Sequence, residues 1–374
     1  MNDGIALYIH IPFCKQKCLY CDFPSYCGEE NKMLSYSKAL SKEINRIKDK
    51  KISTIFIGGG TPTYLSLEGW NTIKESIKRL NTTDDLEFTV EGNPGTFSED
   101  KLLLFKNIGV NRLSIGLQAW QNEHLKRLGR IHSVEEFLES FYMARKVGFE
   151  NINIDLMFGL PEQSLEEWKQ TLENVTNLEP EHLSCYSLIV EEGTRFYDLY
   201  DKDKLNLPDE DIEREMYRFT LQYLKENQYH QYEISNFSKH NRECKHNLVY
   251  WNLEEYLGCG SAAHSYIDGY RFRNVQNIDK YISNEVNGIS PVEEKNKNSE
   301  KDDMEEFMFM GLRKIDGIST KKFNKKFRTS IYDIYGDVIK KYVSQNLLVE
   351  KEGQMFLTPR GVEISNTVMS DFIL

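Results

Sequence analysis

The sequence predicts an α/β fold, a partial (β/α)6 barrel followed by a small C-terminal helical, winged-helix-like domain. Three observations predict it. Short runs rich in Ile, Val, Leu and Phe alternate six times with amphipathic segments of helical length. The alternation stops near Asn227 and gives way to a stretch rich in Tyr, His, Asn and Gly. Helical periodicity then returns beyond residue 300, around a single hairpin pattern.

The elements follow in order. ALYIHIPF at 6–13 reads as the first strand, with a helix at 33–48. Further strands read at 54–57 (TIFI), 87–91 (EFTVE), 112–117 (RLSIGL), 151–158 (NINIDLMF) and 183–190 (LSCYSLIV). The helices between and after them fall at 67–80, 99–107, 134–147, 165–178 and 209–227. Successive βα units imply a parallel sheet, and right-handed crossovers would curl it into a barrel or partial barrel with its ligands at the C-terminal strand ends. Residues 1–228 are therefore expected to form the barrel. Residues 229–300 are expected to be an irregular, ligand-binding segment and linker, and the polar KNKNSEKDD ending at residue 303 to be an exposed connection. Residues 301–374 complete the chain, with helices at 304–313, 320–327 and 331–345, a hairpin at 347–357 and a last helix after Pro359.

A formal charge of -11 argues against sequence-independent phosphate binding, so no nucleic-acid partner is expected. No run of about 18 apolar residues occurs, and no basic stretch precedes the first apolar run as it would in a signal peptide. Seven cysteines, three of them within eight residues, fit metal binding in a reducing cytoplasm better than disulfides.

Cys14-Lys-Gln-Lys-Cys18-Leu-Tyr-Cys21 places three thiols on one loop past the first strand. Such a loop can wrap three corners of a [4Fe-4S] cluster and leave one iron open to a chelating ligand. A zinc site would need a fourth ligand at matching spacing, and Cys27 and His10 are the nearby candidates. Gly58, Gly59 and Gly60 end the second strand, where a missing Cβ allows close approach of a ligand or simply a tight βα turn. Glu91, Gln118 and Asp155 stand at or in successive strands. Carboxylates there need a partner, and a ligand suits them better than a buried ion pair.

The C-x3-C-x2-C loop, the YIHIPFC before it and GGGTPT, EGNP, SIGLQ, LGRIH and DLMFGLP after it closely resemble one radical-SAM group. That group contains oxygen-independent coproporphyrinogen III oxidase and the related haem chaperones, and the resemblance covers nearly the whole chain. It implies a [4Fe-4S] cluster on Cys14, Cys18 and Cys21. It also implies S-adenosylmethionine (SAM) binding by Tyr8, Tyr20, Gly60, Thr61, Glu91, Gln118, Arg130 and Asp155. Gly60 and Thr61 would lie at or near the SAM amino group, and Arg130 could hold a carboxylate in its fork. Its bland alternative is an exposed loop arginine.

Three features separate the two branches. The resemblance implies C-x3-C-x2-C-x-C in the oxidases, whereas Phe23 stands here where the extra cysteine would be. The oxidases are expected to carry an extension before the first strand, whereas here Cys14 follows almost at once. Third, His246-Asn247-Leu-Val-Tyr250-Trp251 matches the H-N-x-x-Y-W pattern that the resemblance links to haem. On that reading His246 would ligate the iron, Asn247 would orient His246, and Tyr250 and Trp251 would offer flat faces to a porphyrin. Without the resemblance, a histidine beside aromatics is more often packed. Cys244, Cys259 and His264 are further candidates, with close packing the preferred reading for Cys259, and Cys185 reads as a core residue. Lys321, Lys322, Lys325, Lys326 and Arg328 form a basic cluster. It reads as a solvated helix face or as a docking surface for an acidic partner or an anionic membrane.

The expected function is a cytoplasmic haem chaperone that passes haem to apo-haemoproteins, with peripheral membrane association and a homodimer as further implications. The alternatives are radical-SAM decarboxylation of porphyrinogen propionates and another radical-SAM reaction such as methyl transfer.

Overall fold

The computed structural model describes residues 4–374. Strand β1 (Ile5–Ile11) leads through the cysteine loop to α1 (Met33–Arg46). Then come β2 (Lys51–Gly59) with α2 (Leu67–Lys78), β3 (Asn81–Gly92) with α3 (Glu99–Asn107), and β4 (Arg112–Gln118) with α4 (Asn122–Arg127) and α5 (Val134–Lys146). Next are β5 (Ile152–Phe158) with α6 (Leu165–Thr176), and β6 (His182–Ser187) with α7 (Arg195–Tyr200) and α8 (Glu210–Glu226). The six strands pair in parallel in chain order, forming an open (β/α)6 barrel. Serine side chains cap the helices where the chain turns back from the sheet: Ser66, Ser98, Ser133 and Ser164 each accept an N–H from the first turn. The helices bury their aromatic faces on the sheet. Trp70 meets Phe105 at 4.6 Å, and Trp168 donates its indole N–H to Thr220 at 2.8 Å.

Residues 229–300, expected to be irregular, are largely regular. They form β7 (His230–Glu233), β8 (Asn236–Ser238), α9 (Lys245–Trp251), β9 (Tyr256–Cys259), β10 (His264–Ile267), β11 (Tyr270–Asn274), α10 (Ile278–Val286) and β12 (Val292–Lys297). These strands extend both edges of the barrel into a twelve-stranded sheet. Its order is β12-β11-β10-β9-β1-β2-β3-β4-β5-β6-β8-β7, and β9 runs parallel to β1. They escaped a reading by apolar pattern because they are short and carry Tyr, Arg, Asn and His. β12 in particular, VEEKNK, is exposed along its whole length. The expected connection ending at residue 303 is also corrected. Ser299 and Asp302 form a capping box that starts α11 (Glu300–Gly311), so a polar cluster read as a linker is a helix start.

Beyond α11 come β13 (Ile318–Ser319), α12 (Thr320–Phe327), α13 (Ile331–Ser344), β14 (Leu348–Lys351), β15 (Gln354–Leu357), α14 (Pro359–Glu363) and α15 (Ser365–Ser370). The three strands pair in the order β13-β15-β14 beside the helices. Met308, Phe323, Tyr335, Met355 and Met369 belong to a separate core. This module is fastened to the β7 edge of the sheet: Ile234 N–H donates to Arg313 O and Ile315 N–H to Tyr232 O, both at 3.1 Å. Arg218 holds Glu363 with two bonds of 2.8 and 2.7 Å. Among the described residues no helix is long and apolar enough to cross a membrane.

The other edge, paired to β1 through β9, is also tied to α1 by a buried acid. Glu43 of α1 accepts bonds from the Tyr281 hydroxyl at 2.6 Å, Gly260 N–H at 2.7 Å and Asn274 Nδ2 at 2.7 Å. Burial, with Glu285 nearby, outweighs these bonds and raises its pKa to about 7. The folded chain therefore retains a proton that the unfolded chain releases near the ordinary glutamate value. This contribution to stability is present at low pH and is lost as pH rises towards about 7. Thermal unfolding of the Glu43→Gln variant should show a flatter decline of Tm over this window, the difference amounting to roughly 1–3 kcal/mol. Parallel Tm-versus-pH curves for the two proteins would contradict it.

Candidate functional site

The cysteine loop is held by backbone. Past β1, Gly60 N–H donates to Ile11 O and Thr61 N–H to Phe13 O, each at 2.8 Å. A Cβ on Gly60 would lie 2.8 Å from the Phe13 carbonyl oxygen, and one on Gly59, at φ 110°, would lie 2.5 Å from the His10 ring. These glycines thus serve the packing of the turn on β1. Cys14 N–H donates to Tyr26 O at 2.9 Å, and Leu19 N–H to Leu128 O at 2.9 Å. His10, considered above as a metal ligand, is instead a pin. It bonds the Pro24 carbonyl at 2.8 Å and the Tyr8 hydroxyl at 3.0 Å, and burial lowers its pKa to about 4. Cys27 is exposed.

Cys14, Cys18 and Cys21 face one cavity of about 710 Å³ together with Tyr20, Gly60, Glu91, Gln118, Arg130 and Asp155. Among the described residues no three His, Cys, Asp or Glu side chains are grouped to hold a single metal ion. A cubane asks for a different arrangement, one thiolate at each of three irons. Burial raises the Cys14 thiol and pushes Cys21 up to about 11, so both stay protonated unless a cation faces them.

Polar groups converge opposite the thiols. Arg130 Nη1 donates to Cys18 Sγ at 3.4 Å, and Nη2 to Asn93 Oδ1 and Gly116 O at 2.7 Å. The loop arginine is therefore an inward one. A Cβ on Gly116 would strike Asn93 Oδ1 and Gln118 Nε2 at 2.9 Å, so glycine there lets the three side chains meet. Gln118 itself has φ 68° at a register shift between β4 and β5. Such strain at a non-glycine residue is common at ligand sites. Gln118 Oε1 and Arg130 Nε are buried without a partner. Asp155 accepts from Ser114 at 2.9 Å and Asn153 at 2.8 Å. Burial, then the Asp155 charge, raises Glu91 to about 8. Thr61 does not reach this cavity. Its hydroxyl takes a 2.9 Å bond from Asn93 and lies 3.4 Å from Cys14 Sγ, so it braces both.

A second cavity of about 1170 Å³ shares Phe23, Gly59, Glu91, Ser114 and Asp155 with the first. Tyr8, Phe56, Tyr186, Tyr250 and Trp251 give it aromatic walls, and Asn247 also lines it. Phe23, where the oxidase pattern has its extra cysteine, is 62% exposed and stands at the junction.

His246 does not line this cavity. It is 1% exposed and stacks on Phe56, with Nδ1 2.8 Å from Thr54 Oγ1 and Nε2 2.9 Å from the Tyr250 hydroxyl. Both ring nitrogens are occupied, so the expected iron ligand has no free nitrogen here. The expected role of Asn247 is corrected too: neighbours on a helix point apart, whereas Tyr250, four residues on, faces His246. Cys244 and Cys259 are buried away from the cavities, His264 is exposed, and Cys185 is buried in β6. The sequence reading missed Asn93, Ser114, Tyr186 and Arg112. Arg112, a charge opening an apolar strand, Asn93, inside EGNP, and Ser114, opening SIGLQ, carry a readable signal, whereas Tyr186 does not.

If the thiols hold a cluster, Cys14→Ala should abolish the iron-sulfur absorbance of anaerobically reconstituted protein while the far-ultraviolet circular dichroism is kept. Retained absorbance would refute the assignment.

Residues 8–175 match the Radical SAM superfamily and residues 298–364 the HemN C-terminal domain. Over 374 residues the chain is 42% identical to "Heme chaperone HemW" of Bacillus subtilis (strain 168), covering 98% of this chain and 99% of that protein. The protein of the same description from Lactococcus lactis subsp. lactis (strain IL1403) is 37% identical, covering 99% of this chain and 97% of that one. The solved structure described as "Coproporphyrinogen III oxidase (HemN) from Escherichia coli is a Radical SAM enzyme" superposes with a TM-score of 0.86 at 22% identity, over 99% of this chain and 90% of that one. It bears on the fold alone. The superfamily implies a [4Fe-4S] cluster and SAM, and three thiols facing a cavity with unpartnered Gln118 and Arg130 atoms fit both. This chain belongs to the family of the heme chaperone HemW, within the radical SAM superfamily.

Proposed function

We propose that this protein carries haem in the aromatic-walled cavity and passes it to apo-haemoproteins. The observation that carries the reading is the continuity of that cavity with the thiol pocket through Phe23, Glu91 and Asp155. The near full-length similarity to heme chaperones supports it. Cys14, Cys18 and Cys21 would hold the cluster, and Tyr20, Gly60, Glu91, Gln118, Arg130 and Asp155 would hold SAM, with Tyr8 and Thr61 bracing the site. When bound, the cluster supplies an open iron able to chelate the amino and carboxylate groups of SAM.

Tyr250, Trp251 and Asn247 would contact the haem, and His246 would act through Tyr250 as a positioning residue. The exposed lysines of α12, Lys321, Lys322, Lys325 and Lys326, would meet an acidic apo-haemoprotein or an anionic membrane at the moment of transfer. With Phe23 in place of a further cysteine, propionate decarboxylation is the weaker reading.

The test is a paired assay on cluster-reconstituted protein. Trp251→Ala should weaken haem binding about tenfold. His246→Ala should weaken it less and leave the absorbance spectrum of the bound haem unchanged. No coproporphyrinogen decarboxylation is expected with SAM and a reductant. Robust decarboxylation, or haem affinity indifferent to Trp251→Ala, would sink the proposal.

A further inference from the structure

The aromatic cavity contains a buried cation that makes no direct ion pair among the described residues. Arg112, the first residue of β4, is 2% exposed and lines the cavity. Its Nε has no hydrogen-bond partner, and its one bond is a long one from Nη1 to Thr89 Oγ1 at 3.5 Å. Among the described residues no carboxylate lies within ion-pair distance of it. The two nearest in charge are already engaged. Glu87 accepts the N–H groups of Lys245 and His246 at 3.0 Å where α9 begins, and Asp155 accepts from Ser114 and Asn153.

A guanidinium cannot shed its proton to escape burial. Burial penalises the charge, and Glu87 and Asp155 offset that penalty only through space, with no ion pair formed and Nε left unbonded. A second guanidinium is nearby. Arg313 lies 4.5 Å over the Trp251 ring and lines the same cavity. Its Nε is also unpartnered, and its one carboxylate neighbour, Glu233, is 3.6 Å away.

We propose that Arg112, assisted by Arg313, receives a carboxylate arm of a flat aromatic ligand lying against Tyr250 and Trp251, namely a haem propionate. The planar fork of arginine matches a carboxylate with two parallel N–H bonds. Glu91, Asp155 and Glu233 line the same space and disfavour a more highly charged phosphate. Propionates anchored at β4 would leave the macrocycle against the aromatic wall formed by α9. The inference rests on the haem-carrying reading and adds an anchor that the histidine motif does not contain. SAM also bears a carboxylate, and the experiment separates the two sources.

Full-length, cluster-reconstituted protein is titrated with iron protoporphyrin IX and with its dimethyl ester. Esterification should weaken binding to the parent protein about tenfold. Arg112→Met should weaken the free acid to the same degree, add nothing for the ester, and leave SAM binding unchanged. Equal affinity of the parent for acid and ester would overturn the proposal, as would equal weakening of both ligands by Arg112→Met. Loss of SAM binding with haem unaffected would reassign the arginine to SAM and overturn it as well. If Arg112→Met does not fold, the ester comparison on the parent protein and Arg313→Met decide. A parent protein that binds neither form removes the haem-carrying reading itself, whereas tight binding indifferent to esterification removes only the anchor.

Discussion

The site depends on the backbone seam between the end of β1 and the turn after β2. Two amide donors, Gly60 and Thr61, reach the carbonyls of Ile11 and Phe13, at an approach too close for a Cβ on Gly60. That seam fixes where the chain leaves the sheet, and hence where Cys14 points. His10 and Tyr8 secure the far side of the loop through Pro24. Each bond is a modest stabiliser taken singly. Their joint effect is positional: thiols on a long loop would otherwise sample many arrangements, few of them matching the corners of a cubane.

The same seam explains why two chemistries adjoin. The thiols and the Arg130–Gln118 cluster lie at the C-terminal strand ends, whereas Tyr8 and Phe56, in mid-strand, and the α9 aromatics line the second space. Glu91 and Asp155 belong to both spaces. A carboxyl raised to about 8 beside a hydrogen-bonded carboxylate makes a divider whose charge depends on what occupies either side.

Much of this was legible in the sequence. The barrel strands and their helices follow from apolar periodicity, and the thiol spacing with the motifs after it points to Cys14, Cys18, Cys21, Tyr20, Gly60, Glu91, Gln118, Arg130 and Asp155, which the fold brings to one cavity, whereas Tyr8 and Thr61 lie outside it. Misreadings arose where pattern carries little information. The strands of residues 230–297 are short and polar, so they resemble loops, and Ser299 with Asp302 resembles a linker. The expectation that Asn247 orients His246 overlooks that a helix turns about 100° per residue. Adjacent residues therefore serve different surroundings: Asn247 and Trp251 face the cavity while His246 faces the core. Arg112 opens an apolar strand, but a single charge at a strand start is usually solvated, and only the fold shows that this one is buried.

An open barrel retains two free margins, each a row of backbone donors and acceptors able to recruit a strand from another molecule. Here the margins are managed differently. The C-terminal module lies along β7, with Ile315 and Arg313 bonding to its neighbourhood. β12 instead presents Glu293, Glu294, Lys295 and Lys297 to solvent. A cover on one side and a charged fringe on the other mean that neither margin of the open barrel is a bare, apolar template for a further strand.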